Sequence, residues 1–290
     1  MAIANFIPEV WSAALLKALR DTVAYAQEGV INRNYEGDIA RAGDTVHITD
    51  FGDPQVRSYS KYASDNQEAT PSVTYDVLDD DTRSLVVDQA DYFAFAVDDI
   101  DRRQALPGFV DEATRGAGAN MAYEVDDYVG GLMVANAGND LGSLTISEPK
   151  EAYSLLVQFR TKLVRSNTPD AGRWVIVPPE FYALLLEDDR FIRADAAGTT
   201  SGLRNGQVGR AAGFDVIEAN RAVTESGGEH VLLAGHGIAT TFANQISNVE
   251  ALRLQGHFAD GIRGLQLYGA KVLRPNNLAK ATVTIDTDGS

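Results

Sequence analysis

The residues of this chain that could do chemistry are few and poorly placed to do it. Its four histidines, His47, His230, His236 and His257, lack the i, i+4 spacing that puts two imidazoles on one helix face for zinc. There is no cysteine, so thiolate nucleophiles, thiolate metal sites and disulfides are excluded. Gly198-Thr199-Thr200-Ser201-Gly202 carries its serine one place too late for a nucleophile elbow. Gly116-Ala117-Gly118 follows no strand and so does not open a dinucleotide loop. No glycine-rich turn ends in Lys-Ser or Lys-Thr, as a phosphate loop requires. Carboxylates cluster at Asp79, Asp80 and Asp81, and at Asp98, Asp99 and Asp101. Such clusters suit magnesium or calcium, but none supplies the ligand set of a calcium loop, and solvated turns and helix N-termini account for them. His236 lies in Ala234-Gly235-His236-Gly237, where glycines let a ligand approach the backbone or simply make a turn. We read a turn. The expectation is a chain with no catalytic, cofactor-binding or metal-ligating residue, and not an enzyme.

Composition supports a folded, non-membrane chain. The 290 residues are 44% hydrophobic and 23% charged, enough for a sizeable core. Met1 to Pro8 has neither a basic start nor an apolar signal core, and no apolar run approaches the ~20 residues of a membrane span. The net charge of −16 argues against a dedicated nucleic-acid binder, which neutralises phosphates with Lys and Arg. The charge is uneven: residues 1–140 hold 25 acids and 10 bases, a net of −15, whereas residues 141–290 hold 16 acids and 15 bases, a net of −1. Between Asp76 and Asp127 alone there are 14 acids and four bases, a net of −10. An acidic face aids solubility, and it also suits a surface that stays near DNA without adhering to it.

The elements follow from hydrophobic periodicity. Phe6 to Glu28 reads as an amphipathic helix, with Trp11, Leu15, Leu16, Leu19 and Val23 on one face and Gly29 at its end. Residues 38–90 alternate, as in Thr45-Val46-His47-Ile48 and at Val73, Tyr75 and Val77, and predict a hairpin or small sheet. Within them Arg57 to Pro71 is too polar to build a core and reads as an exposed excursion that gains order from a partner. Its Arg57, Tyr59, Lys61 and Tyr62 offer charge and flat aromatic area for a subunit interface. Leu85 to Val97 is apolar enough to be buried, in two pieces. Phe109 to Asn136 reads as a long helix with Ala113, Ala117, Met121, Val125, Tyr128 and Leu132 as its stripe, and with bending or close packing at Gly116, Gly118, Gly130 and Gly131. Glu148 to Arg165 predicts a helix capped by Ser147, with Leu155, Leu156, Phe159 and Leu163 inward. Trp174 to Val177 predicts a strand buried on both faces, stopped by Pro178 and Pro179, the latter opening a short helix. Asp188 to Gly209 reads as a long exposed loop. Phe214–Glu218 and Val231–Ala234 read as strands, Ile238 to Gln245 as a short helix, and Val249–Leu254, Ile262–Leu273 and Ala281–Ile285 as further strands, antiparallel in look. The mixture is α+β.

Several of these segments together resemble one family. They are F-I-P-E-V-W-S-A-A-L-L at Phe6 to Leu16, N-R-N-Y-E-G at Asn32 to Gly37 and G-D-T-V at Gly43 to Val46. They continue with D-Y-F-A-F-A-V-D-D-I-D at Asp91 to Asp101, V-I-V-P-P-E-F-Y-A-L-L-L at Val175 to Leu186, G-F-D-V at Gly213 to Val216, and L-Y-G-A-K-V-L-R-P at Leu267 to Pro275. In order and spacing the set resembles the major capsid proteins of tailed bacteriophages with the Hong Kong 97 type fold. The resemblance implies an N-terminal arm at 1–37, an extended hairpin loop at 38–90, and a peripheral domain with its long spine helix at 91–147. It further implies an axial domain at 148–246 and strands returning to the peripheral domain at 247–290. The implied function is structural: hexamers and pentamers of the chain close into an icosahedral shell around double-stranded DNA, with no sequence-specific binding and no membrane. The implied setting is the virion capsid, assembled in the host bacterial cytoplasm with a portal. Because the arm-like helix begins almost at Met1, a separate scaffolding protein is also implied. The alternative is an encapsulin-like compartment shell, which shares the fold and packages cargo protein.

Overall fold

The computed structural model describes residues 23–34, 45–51, 80–98, 109–188, 209–223, 229–256 and 258–286. In chain order the strands are β1 (Thr45–Phe51), β2 (Asp80–Val86), β3 (Gln89–Asp98), β4 (Asn139–Ile146), β5 (Arg173–Val177), β6 (Arg210–Ala211), β7 (Phe214–Glu218), β8 (His230–His236), β9 (Thr240–Arg253), β10 (Ala259–Val272) and β11 (Leu278–Ile285). The helices are α1 (Phe109–Ala135), α2 (Pro149–Arg165) and α3 (Pro179–Glu187). The strands form a β1-β2 ribbon, a three-stranded sheet β3-β10-β9, and a six-stranded sheet β4-β11-β8-β5-β7-β6. The six-stranded sheet is mixed rather than antiparallel, because β11 pairs β4 in parallel and β5 pairs β7 in parallel.

β5 sits inside that sheet and is buried along its whole length. Its alternation divides two cores. Val175 and Val177 face a cluster with Leu155, Leu156, Phe159 and Phe181 from α2 and α3. Trp174 and Ile176 face the opposite cluster, with Val129 and Met133 of α1. The chain then stops pairing because Pro178 has no N–H, and Pro179 takes the first helical position of α3. The buried Arg173 guanidinium is matched by the Pro169 carbonyl at 2.8 Å, the Thr168 carbonyl, and Asp170 Oδ1 at 2.9 Å.

Several sequence expectations change. The cap of α2 is Glu148, not Ser147, because Pro149 occupies the first helical position. Glu151 then reaches back to accept from the Ser147 and Glu148 N–H groups, which holds its carboxyl below the usual range. Ile238 to Gln245 is not a helix. From Thr240 onward it is the first half of β9, in register with β10 from Thr240↔Val272, and a full ladder outweighs weak local propensity. Leu85 to Val97 does fall into two strands, yet only Leu85, Val87 and Val97 are buried and Tyr92 is 77% exposed. The cause is position: among the described residues β3 is an edge strand with one face open. Asp188, expected in an exposed loop, is buried. The α1 stripe is rotated by about one residue, so that Thr114, Gly118, Ala122, Val129 and Met133 are buried with Met121 and Val125, while Ala113, Ala117, Tyr128 and Leu132 are only half-buried. The spans Val73 to Val77, Phe6 to Thr22 and 189–208 lie outside the described residues.

Replacing Val175 with Asp places an unpaired carboxylate in the first core. That costs several kcal/mol, a large part of the roughly 5–15 kcal/mol that holds a domain folded. The expected outcome is insoluble protein, or soluble protein without native circular dichroism.

Candidate assembly surface

Two described stretches flank segments that lie outside the described residues, and the structure fixes each of these roots. The first root is residues 23–34. Val23 to Glu28 was expected to end a helix; instead it is a run of bends. The N–H groups of Ala24, Tyr25 and Ala26 point at one side chain of the long helix. Asp126 of α1 collects them: Oδ1 accepts from Tyr25 N–H at 2.7 Å and Ala26 N–H at 2.9 Å, and both oxygens lie 3.1 Å from Ala24 N. Asp126 is 5% exposed. Burial pushes its pKa up, the three backbone donors oppose that shift, and the neighbouring charge of Asp127 adds to it. The Tyr25 ring lies on Gly130, and its hydroxyl accepts from Val223 N–H at 3.2 Å. Burial pushes that phenol up to about 12, so it stays protonated. Downstream, Arg33 donates to the Ala26 carbonyl, and Asn32 forms a parallel bridge to β9 through Thr240 and Phe242.

The second root is the base of the β1-β2 ribbon. Here β2 crosses β10 at Gly269, where an added Cβ would lie 2.3 Å from the Val86 carbonyl oxygen and 2.9 Å from Val87 Cα. Only glycine permits that approach. Leu85, Val87 and Ala243 form a small core there with Leu267 and Leu273, and Lys271 Nζ donates to the Ser84 carbonyl at 2.7 Å.

His236 makes a turn: Nδ1 accepts from Ile238 N–H at 3.1 Å, which puts the proton on Nε2, 2.8 Å from the Ala171 carbonyl. Gly237 sits where a Cβ would be 2.7 Å from the Gly29 carbonyl oxygen, so its glycine serves chain approach. Among the described residues no group of three or more His, Asp or Glu could hold a metal, and no helix is long and apolar enough to cross a membrane. Arg57, Tyr59, Lys61 and Tyr62 lie outside the described residues. The most exposed large apolar side chains among those described are Phe258 at the β9–β10 turn and Tyr92 on β3. Part of the acidity of α1 is already engaged: Asp126 holds residues 24–26, and Asp127 pairs with Arg221 at 2.6 Å. Sequence reading missed Asp126 and Gly269. The spacing of Asp126 from Ala122, Val129 and Met133, by four, three and seven, places it on the buried arc and was its available signal.

Asp126→Ala leaves three N–H groups without their acceptor and is expected to cost about 1–3 kcal/mol or more in chemical denaturation. Asp126→Asn keeps an acceptor oxygen and is expected to cost less. A carboxyl whose folded pKa is raised contributes stability at low pH that is lost as pH rises from the ordinary carboxylate range through the folded pKa. The Asn variant is therefore expected to lack that part of the parent's decline, and parallel stability–pH curves for the two would refute the assignment.

These elements are shared with known proteins. The family described as phage capsid protein matches residues 80–281. A chain of Mycobacterium phage Che8 aligns with a TM-score of 0.73 at 31% identity, covering 100% of both chains. The capsid structure of cyanophage P-SCSP1u aligns with a TM-score of 0.65 at 15% identity over 85% of each chain. The virus-like particle from Pyrococcus furiosus aligns with a TM-score of 0.59 at 12% identity, covering 94% of this chain and 98% of that one. At such identities the last two speak for the fold alone. No curated protein sequence matches. A mixed six-stranded sheet and a three-stranded sheet bridged by one long helix, with the family matched over most of the length, lead to one conclusion: the chain belongs to the phage major capsid proteins of the Hong Kong 97-like fold, whose copies form an icosahedral shell.

Proposed function

We propose that the shell is built by the two rooted segments reaching onto neighbouring subunits. The chain is a structural component of the virion capsid and not an enzyme. The observation that carries the proposal is the pair of anchors: a segment meant to move freely would not be tied by Asp126 at one root and by a backbone crossing at Gly269 at the other. In this reading 1–37 is the N-terminal arm and 38–90 the extended hairpin loop. The peripheral domain is α1 with the three-stranded sheet, from 91–147 and the returning 247–290. The axial domain is 148–246, whose sheet takes in β4 and β11 as well. The loops of the axial domain meet around the hexamer or pentamer axis. Arg57, Tyr59, Lys61 and Tyr62 supply the loop's contact, and the exposed Tyr92 and Phe258 are buried by neighbours.

The same reading assigns the exposed acids of α1, such as Glu112, to a lining that repels packaged double-stranded DNA over ~8 Å at physiological ionic strength. A separate scaffolding protein with a basic docking face fits that lining before DNA enters, and a portal completes the shell. Electron microscopy of the purified chain is expected to show closed shells. Deleting 58–70 is expected to leave a folded chain by circular dichroism that no longer closes shells; normal shells at normal yield would remove the loop from the interface. Replacing Gly269 with Ala is expected to tilt the loop's root and reduce shell yield while leaving the six-stranded core intact, read as unchanged thermal unfolding of that core.

A further inference from the structure

We infer that β3 is where two copies of the chain meet across a two-fold axis of the shell, edge to edge and antiparallel, with their α1 helices side by side above the seam. An icosahedral shell has two-fold axes as well as rings of five and six, and a two-fold contact needs a patch that complements itself. The open edges of the two larger sheets differ in how they receive a second strand. β4 is bulged: its register with β11 shifts between Lys280 and Thr282, Gly142 has a φ of +78°, and its N–H turns back to Asp140 Oδ1 at 2.8 Å. β9 is bulged against β10, and Asn32 occupies the start of its outer edge. β6 has only two residues. Such devices keep sheets from joining. β3 has none of them. All ten of its residues pair with β10 in one unbroken register, from Gln89↔Tyr268 to Asp98↔Ala259, and it contains no proline or lysine. Among the described residues its other edge carries no strand. That row of outward backbone groups is a template for another strand.

The faces beside that edge fit a copy of themselves. Away from α1, β3 shows Ala90, Tyr92, Ala94 and Ala96, all exposed. With Ala94 on the axis, Tyr92 of one copy lies opposite Ala96 of the other, and the alanines leave room for the ring. On the α1 side the same register sets Phe93 opposite Phe95 of the second copy and Asp91 opposite its Val97. Aromatic cross-strand pairs stabilise such a ladder, and no carboxylate of β3 meets another. The helix obeys the same axis. Met121 packs with Phe93 and Phe95, while Tyr128 lies against Tyr268, which pairs with Gln89. α1 therefore runs antiparallel to β3, and Asn120 stands near the axis. Met121 and Ala122 touch both Ile262 of β10 and the Phe rings of β3. Strands lie ~4.8 Å apart, so two helices each seated between those strands come within ~9–10 Å of one another across the axis, a helix-packing distance. The surface they present is a groove of about 710 Å³ whose α1 wall is Ala113, Gly116, Ala117 and Asn120. A Cβ added to Gly116 would meet nothing within 4 Å, so an approaching helix has open space there. Antiparallel about Asn120, Glu124 on the groove's rim stands opposite Gly116 of the second copy rather than opposite another acid. The second copy's α1 fills the space, and the two grooves close on each other.

The absence of cysteine makes a single substitution decisive. Residues facing each other across an antiparallel pair have Cα atoms ~4.5–5.5 Å apart, within disulfide reach. Assembled full-length chain carrying Ala94→Cys is expected, on mild oxidation, to run as a disulfide-linked dimer on a non-reducing gel and as a monomer after reduction. Ser143→Cys, on the bulged edge of β4, is expected to stay monomeric. Monomer from Ala94→Cys in particles that electron microscopy shows to be closed would overturn the inference and leave the shell reading standing. Equal dimer from both variants would overturn it too, because random collision then explains the link. Dimer from Ala94→Cys alone, without closed particles, upholds the β3 contact and counts against the shell reading instead. A second variant tests the helices. Gly116→Arg suits the single chain, because its site is exposed and open, yet it sets a bulky cation on both helices at the seam. Combined with Ala94→Cys it is expected to abolish the dimer at unchanged circular dichroism. A dimer that persists undiminished would refute the side-by-side helices and with them the two-fold geometry.

Discussion

One buried carboxylate holds together parts of the chain that are otherwise remote. Asp126 takes N–H groups from three successive residues 100 to 102 positions away. Burying an ionised carboxyl is costly, and only charge-assisted hydrogen bonds from several donors offset it. Three donors on one short segment also fix that segment's conformation, because their N–H vectors must converge. The result is a bent root where local sequence favours a helix. Tyr25 extends the connection to Val223, 198 residues away, so residues 24–26, the long helix and a loop of the six-stranded sheet are joined in one polar network.

That network sits midway along a helix that splices two cores. α1 has 27 residues, roughly 40 Å at 1.5 Å per residue. Its middle packs through Met121 and Ala122 on Ile262 of the three-stranded sheet, and its end packs through Val129 and Met133 on Trp174 and Leu233 of the six-stranded sheet. The two sheets do not share a hydrogen-bonded ladder, and α1 relates them together with Phe242 of β9 and Tyr268 of β10, which enter the second core. β10 adds the third fixed relation by supporting β9, β3 and, at Gly269, the root of the ribbon. A shell subunit needs such a body, since small angular errors within one subunit multiply around a closed surface.

Much of this was legible in the sequence, and the rest was not for identifiable reasons. Short-range signals held: the β-branched run at Trp174 to Val177, the Pro178-Pro179 stop, and the inward residues of α2 each depend on neighbours in sequence. Apart from the α2 cap, which Pro149 shifts by one residue, the main failures are long-range. Ile238 to Gln245 reads locally as a helix because the ladder partner that makes it β9 lies in β10. β3 reads as buried because its edge position follows from sheet order, which no local pattern carries. Asp126 reads as one more surface acid because its partners come from residues 24–26. The resemblance to capsid proteins succeeded because it compares the whole order of segments, which encodes those long-range relations.

β11 has a consequence for how the protein is made. It lies between β4 and β8 in the interior of the six-stranded sheet, yet it comes from residues 278–285, after every other described strand. Until residue 285 has left the ribosome, β8 has an open edge and β4 has no partner among the described strands. Ala279, Ala281 and Val283 are missing from the first core. A nascent chain therefore cannot complete this sheet early, and a truncated one cannot complete it at all. A copy that ends before β11 lacks the strand that joins β4 to β8, and with it three residues of the first core.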